Sequence, residues 1–462
     1  MKNFENRPTI SPQLVAQFEK IMRDKDMIFL DELHLKELIF YYTELGKIDI
    51  ALQAINYALY FHSSSSDFWV YKAIFLIKEY EYKPALALLN KAQLLAPFDT
   101  DICIKKAFIY QQLGLPNKAA NLLKQCIKTA STSSKPNLYI ALSDVYKSGD
   151  QWKKSFKALA LAVSIDPDDE ETLRMLNYVG YRANMFTQCA NVFKVITIEN
   201  PLSRVAWFYY GSALGQLGQL TQALDALENA IAIDENFEAA IYNAGIASFK
   251  LKQHSNALQY FTEIIERTND FDEELYYYAG LCAIQLNLTE TAHDFLTKIV
   301  RINEEYYEAW YQLGELYYTQ LHQVQKAIFY YKQAAKYSHN NSQIWSKLAE
   351  VYMAEKQFSD ALAAFREAIL INDQHVTNYI GLAKICLEVE AYTEAENVMT
   401  LAFANLKDPP AEIWYMASAV QYLSGNKQHA QQIYQMAKHH FPTQKHLIQN
   451  YLPKAYSSDY FL

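Results

Sequence analysis

Apolar and small residues recur along this chain with a period of 34 to 36, and inside each period they fall at helical spacing. The register runs through Leu35, Trp69, Cys103, Tyr139, Leu173, Trp207, Ile241, Tyr276, Trp310, Trp345, Tyr379 and Trp414. Sixteen residues after each stands a small one: Ala51, Ala85, Ala119, Ser155, Cys189, Ala223, Ala257, Ala292, Ala327 (one residue late), Ala361, Ala395 and Ala430. Four residues after each, the series is Ala73, Ala107, Ser143, Gly211, Gly245, Gly280, Gly314, Ala349, Ala383 and Ser418, with Ile39 and Asn177 as exceptions. Close helix contact admits only such side chains, so the pattern predicts packed helical hairpins copied along the chain.

Each copy reads as helix, turn, helix. In the last, Trp414, Ala417 and Val420 form one stripe, Gly425 breaks the chain, and Ala430, Tyr434 and Ala437 form the second. Gly46, Gly114, Gly218 and Gly425 occupy equivalent turns, and Pro84 and Pro116 open second helices, where a missing N–H costs nothing. The copies start near residues 32, 66, 100, 136, 170, 204, 238, 273, 307, 342, 376 and 411. A repeated stack needs lids. Residues 1–31 are assigned to a tail and a capping helix led by Ser11-Pro12 and carrying Leu14, Phe18, Ile21 and Met22; residues 445–462 are assigned to a short closing helix and a tail ending in Tyr460, Phe461 and Leu462. Residues 32–444 are expected to form one continuous array.

The run Trp310, Leu313, Gly314, Tyr317, Ala327, Tyr331, Ala334 resembles the tetratricopeptide repeat, as does Trp345, Leu348, Ala349, Tyr352, Ala361, Phe365, Ala368. The resemblance covers roughly Glu32 to Lys445 and is to a multi-repeat array of the bacterial type. It implies an all-α, right-handed superhelical solenoid with a concave groove lined by first helices. The copies starting at Glu32, Thr100 and Glu170 lack most large first-helix residues, and the copy at Tyr307 carries one extra residue near Leu321 to Val324. Those copies are expected to be looser or specialised.

Groove-facing positions of the first helices carry aromatic residues where a merely solvated face carries charge. One residue past the register stand Phe208, Tyr242, Tyr277, Tyr311 and Tyr415; two past stand Tyr71, Tyr209, Asn243 and Tyr278; Tyr178, Tyr181, Phe249, Tyr318 and Tyr422 lie further along. The chain has 36 Tyr against 24 Phe and 6 Trp, and a ring with a polar tip suits a wet, partner-facing surface. Packing of the same rings within the array is the competing reading, and Tyr42, Tyr146, Tyr317, Tyr352 and Tyr434 already fall on seam positions. Charged groove positions are patterned: Arg174 and Arg182 in the fifth copy, then Glu308, Glu315 and Glu350 with Lys347 and Lys384 in the ninth to eleventh. The family's clamp for a C-terminal carboxylate needs Lys and Asn at set positions; here Lys36 is followed four residues on by Phe40, and Asn243 stands alone.

Composition adds limits. A net formal charge of −9 disfavours nucleic acid as a partner, although residues 100–165 hold ten lysines against three aspartates and suit an acidic partner. No apolar run reaches the roughly 18 to 20 residues of a membrane span, and the opening MKNFENRPTISPQLV has no apolar signal core, so a cytoplasmic location is expected. Five cysteines, Cys103, Cys126, Cys189, Cys282 and Cys386, without C-x-x-C spacing, read as reduced thiols filling gaps. Glu315 and Glu350 read as solvated or peptide-binding carboxylates rather than an acid/base pair. His429, His439, His440 and His446 lack helical metal-pair spacing, and the glycines Gly211, Gly215 and Gly218 follow no strand, so neither a metal nor a nucleotide site is expected. The expected function is that of a non-catalytic, cofactor-free scaffold binding an extended peptide or protein segment. The alternative is a regulatory subunit that senses a peptide or small ligand by changing superhelical shape and controls an enzyme or transcription factor.

Overall fold

A computed structural model describes residues 10–24, 27–268 and 271–452, and among them helices are the only regular elements. Its packing divides the chain into two units, Met1–Ala240 and Ile241–Leu462, each a stack of antiparallel helical hairpins. Twelve first helices, beginning at Glu32, Ser66, Thr100, Lys135, Glu170, Arg204, Glu238, Glu273, Tyr307, Ser342, Val376 and Ala411, define hairpins 1 to 12.

Two rules of complementary size shape the seams of many of the hairpins. The register residue of the first helix faces the position 23 later in the second, and where the first is Trp69, Trp207, Trp345 or Trp414 the second is Ala92, Ala230, Ala368 or Ala437, all fully buried alanines. Four residues past the register, Gly245 and Gly314 leave room for the rings of Phe261 and Tyr331: a Cβ added to them would lie 2.6 Å and 2.7 Å from those rings. The small residue sixteen past the register, seventeen in hairpin 9, is at most 1% exposed in all twelve hairpins. Tight packing of this kind leaves no slack for an added methyl group.

The first rule has one covalent variant. In hairpin 3 the pair is Cys103 and Cys126, whose Cα atoms are 6.8 Å apart and whose sulfurs are bonded. The expectation of five reduced thiols is corrected here: two are joined and Cys189, Cys282 and Cys386 are free and buried. The cause is the register, which aims positions 103 and 126 at each other across the hairpin.

Turns repeat as strictly as seams. In hairpin 6 the N–H of Gln219 donates to the carbonyl of Leu214, five residues back, and Gly218 before it takes φ 74°. Four turns use glycine at that left-handed position; in the others Tyr80, Asp150, Asn184, Lys252, Asn287, His322, Lys356 and Glu390 adopt φ between 53° and 61°. Hairpin 9 has its extra residue here, and its closing bond runs six residues back, from Gln323 to Tyr317.

Junctions between hairpins are tied by the register residue. The indole N–H groups of Trp69, Trp207 and Trp310 each donate to the carbonyl six residues earlier, Ser63, Pro201 and Glu304, at 2.8–2.9 Å. Tyr379 reaches Asp373 in the same way.

The N-terminal unit holds its core in successive clusters. The first is covered by helix Pro12–Asp24, whose Leu14, Phe18 and Ile21 are buried, Phe18 lying 6.1 Å from the rings of both Tyr42 and Tyr57. Burying such a side chain contributes roughly 1.5–3 kcal/mol. The C-terminal unit has one large core running from Tyr276 to Val420 and smaller ones, among them that where the 3-10 helix Pro442–Leu447 and the short helix Ile448–Tyr451 close on hairpin 12. The terminal Tyr460, Phe461 and Leu462 lie outside the described residues.

Candidate interaction surface

The candidate surface is set by where first-helix side chains point. Two residues past the register, a side chain meets the second helix of the preceding hairpin: Tyr209 lies 5.3 Å from Phe193, and Tyr278 stacks at 5.8 Å on Phe261. One residue past, it meets the loop leading to the next hairpin: Phe208 lies 5.0 Å from Phe237, and Tyr277 lies 5.6 Å from Tyr306.

In the N-terminal unit these contacts leave an aromatic surface with cations above it. Among the groove positions there, Tyr178 is the most open ring, 53% exposed and edge-on to Trp152, over which the Arg182 guanidinium sits at 5.1 Å. Tyr181 is half-buried, edge-on to Phe186, and its hydroxyl donates to the Ser212 carbonyl at 3.3 Å. Phe208 is half-buried, and Arg204 lies over its neighbour Phe237 while pairing with Asp234. Tyr209 does not line this surface: only 9% exposed, its ring is held against Phe193, although its hydroxyl reaches Arg174.

In the C-terminal unit the same positions line two cavities between the first helices Glu273–Gln285 and Tyr307–Thr319. The first, of about 560 Å³, is walled by Phe271, Tyr277, Tyr278 and Tyr306 and rimmed by Asp272, Glu273, Glu274 and Glu308. The second, of about 450 Å³, is lined by Gln285, Asn287, Tyr311, Gln312, Glu315 and Gln320, among others. Burial, and then the neighbouring carboxylates, push the phenols of Tyr242, Tyr278, Tyr306 and Tyr311 above their ordinary range; the Tyr277 phenol rises by burial too, against the bond it makes with Gln312. All of these hydroxyls therefore stay protonated and able to donate at neutral pH.

The remaining sequence-derived positions fall around this pair of cavities or away from it. Tyr242 and Asn243 are half-buried in hairpin 7, with the Tyr242 hydroxyl bonded to Glu274. Glu315 accepts the Tyr331 hydroxyl at 2.7 Å, Tyr318 is half-buried beside the core, and Glu350 pairs with Lys347 at 3.2 Å. Tyr311 receives a bond from Gln343 at 3.3 Å. Tyr415 is fully buried, its hydroxyl donating to the Phe441 carbonyl at 3.1 Å, so its placement on an open groove is corrected. It belongs to the last hairpin, where the closing helices take the place of a next hairpin.

Of the basic stretch 100–165, Lys106 points inward, 7% exposed and bonded to Gln93, while Lys105 and Lys147 pair with Asp101 and Asp144. Among the described residues no group of His, Cys, Asp and Glu is arranged to hold a metal ion, and no helix is long and apolar enough to cross a membrane. Sequence reasoning on the groove passed over Phe271, Asp272, Glu273, Glu274 and Tyr306, which flank two helix starts rather than occupying groove positions; the acidic run ahead of Tyr276 is the signal that marks them.

Comparison with known proteins gives fragments of a single picture. The tetratricopeptide repeat family model matches residues 100–132 and 205–237, the first of these being a copy expected to be looser. The model for the anaphase-promoting complex, cyclosome, subunit 3, matches residues 320–402. No curated protein matches the chain. Similar solved structures include the APC/C hetero-tetramer Cut9-Hcn1, at 13% identity over 92% of this chain and 96% of that one, with a TM-score of 0.37. Another is YrrB, described as a TPR protein with an unusual peptide-binding site, at 19% identity over 44% of this chain and 99% of that one, with a TM-score of 0.36. The family matches land on the hairpins that the periodicity marks out, and the chain is a multi-repeat tetratricopeptide protein.

Proposed function

We propose that this protein is a non-catalytic scaffold that holds an extended peptide or protein segment against the tyrosine-bearing faces of its first helices. The observation that supports this most is the pair of cavities between the first helices of hairpins 8 and 9, lined by half-buried Tyr277, Tyr278, Tyr306 and Tyr311 with protonated hydroxyls. Partial burial matters energetically, because a ring already held by neighbours loses little further rotamer freedom when a partner covers it. Each ring that meets a partner aromatic adds roughly 0.5–1.5 kcal/mol beyond area burial.

Spacing also suits an extended chain. Tyr277 at one cavity and Gln285 at the other are eight residues apart on one helix, about 12 Å at 1.5 Å per residue, which is spanned by about four residues of extended peptide. The amide-rich second cavity, with Gln285, Asn287, Gln312 and Gln320, offers donors and acceptors for the backbone of such a segment.

The test is affinity purification with mass spectrometry, comparing the wild type with the double variant Tyr277→Ala, Tyr311→Ala. Both rings also pack beside the core, so circular dichroism is read alongside, and the expected result is loss of specific partners with helicity retained. Undiminished capture by the double variant refutes the assignment.

A further inference from the structure

The tyrosine-walled cavity at the start of hairpin 8 differs from the rest of the surface in its charge. Each carboxylate on its rim is satisfied by a neutral group. Asp272 accepts the Leu275 backbone N–H at 3.0 Å, Glu273 accepts the Asn303 amide at 3.0 Å, and Glu274 and Glu308 accept the hydroxyls of Tyr242 and Tyr307. No ion pair to any of the four is formed among the described residues. Of the nearby cations, Lys298 lies over the Tyr276 ring, bonded to its hydroxyl, and 5.9 Å from the Phe271 ring, while Arg267 pairs with Glu263 at 2.7 Å. The cavity therefore combines aromatic walls, whose faces attract cations, with four carboxylates that stand at two helix N-termini and that no side-chain cation pairs among the described residues.

We propose that this cavity receives an arginine side chain of the bound segment, so that the partner is basic where it crosses hairpins 8 and 9. A guanidinium lies flat against the Tyr277 or Tyr306 ring while its planar fork meets two carboxylates of the rim. The Tyr277 and Tyr306 centroids, 5.6 Å apart and tilted by 54°, form a corner rather than a closed stack, which leaves a ring face for the cation. An acidic side chain is repelled by the same rim. The proposal rests on the scaffold reading above and narrows the chemistry of its partner.

The experiment uses the full chain and fluorescein-labelled dodecapeptides alternating Arg with Ala, or Gln with Ala, read by fluorescence anisotropy. The arginine peptide is expected to bind at least about tenfold more tightly than the glutamine peptide, and Glu274→Gln with Glu308→Gln to remove about tenfold of that affinity. Glutamine keeps the oxygen that accepts the Tyr242 or Tyr307 hydroxyl, so folding is preserved. The control, Glu171→Gln with Glu199→Gln, makes the same change in net charge on exposed side chains of the N-terminal unit and is expected to leave affinity within about twofold. Equal binding of both peptides, or equal effects of the two double variants, overturns the proposal. Partner capture separates the two readings. If Glu274→Gln, Glu308→Gln retains partners that Tyr277→Ala, Tyr311→Ala loses, the charge assignment fails and the groove stands; if both variants retain them, both fail.

Discussion

One substitution, glycine to alanine, should have opposite signs at two first-helix positions of this protein. Gly215 and Gly314 both lie inside first helices, and a Cβ on Gly215 meets nothing within 4 Å. There the change brings only the gain in helix propensity, about 0.5–1 kcal/mol. At Gly314 the same Cβ would stand 2.7 Å from two carbons of the Tyr331 ring. Carbon atoms prefer at least about 3.5 Å, so ring or helix must move by roughly 0.8 Å. Tyr331 is fully buried, tethered through its hydroxyl to Glu315 at 2.7 Å and backed by Tyr311 at 5.7 Å, so it has nowhere to go. Overpacking of this sort costs about 1–3 kcal/mol, and after the propensity gain is deducted the net loss is up to about 2 kcal/mol. A long repeat array does not unfold in one step, so the reading is local: amide hydrogen exchange of the segments 307–319 and 324–337 for Gly314→Ala, and 204–216 for Gly215→Ala. Exchange should quicken up to about thirtyfold in the first case and slow about two- to fivefold in the second. If Gly314→Ala slows exchange, the size-matching rule of the seam is wrong.

Thiol counting tests the covalent hairpin: the denatured, unreduced chain should take up three maleimides and the reduced chain five, whereas five in both would remove the Cys103–Cys126 bond. In the native chain at about pH 8 the three free cysteines should resist alkylation, since burial raises Cys189 and Cys386 to about 11 and Cys282 to about 12. Alkaline solution should destabilise the fold. Burial, aided by Glu19 at Tyr42 and by Tyr317 at Tyr330, raises both phenols to about 12, so the unfolded chain releases those protons first, near 10, and stability falls as pH climbs from about 10 towards 12. Thermal midpoints at about pH 9 and 11, with tyrosinate absorbance followed alongside, check this; equal midpoints would contradict it.

The hairpin architecture was legible because its determinants are one-letter facts: a small residue at a fixed spacing, such as Ala361 or Ser155, reports a close helix contact without any knowledge of its partner. Turn glycines were legible for the same reason, but the turns built on Tyr80, Lys252, Lys356 and Glu390 were not, since nothing in those residue types announces a left-handed backbone, whereas Asp150, Asn184 and Asn287 are of types that tolerate it. The disulfide was missed because Cys103 and Cys126 meet through a pairing of positions 23 apart, which emerges only when Trp69 with Ala92 and Trp207 with Ala230 are read as pairs. The surface was legible in outline only. Helical spacing separated groove from seam, yet it treats a helix as isolated, and Tyr209 is covered by the preceding hairpin and Tyr415 by the closing helices. The acidic rim of the first cavity was illegible for a related reason: Asp272, Glu273 and Tyr306 approach each other only when successive hairpins stack.

The indole bonds across the hairpin junctions give the protein a set of built-in optical probes. Trp69, Trp207 and Trp310 each anchor a different junction through one donor, so loss of that bond would alter the emission of that indole before any distant one responds. A series of variants keeping one tryptophan apiece would therefore report where along the chain fraying begins and how far it spreads, without an attached dye.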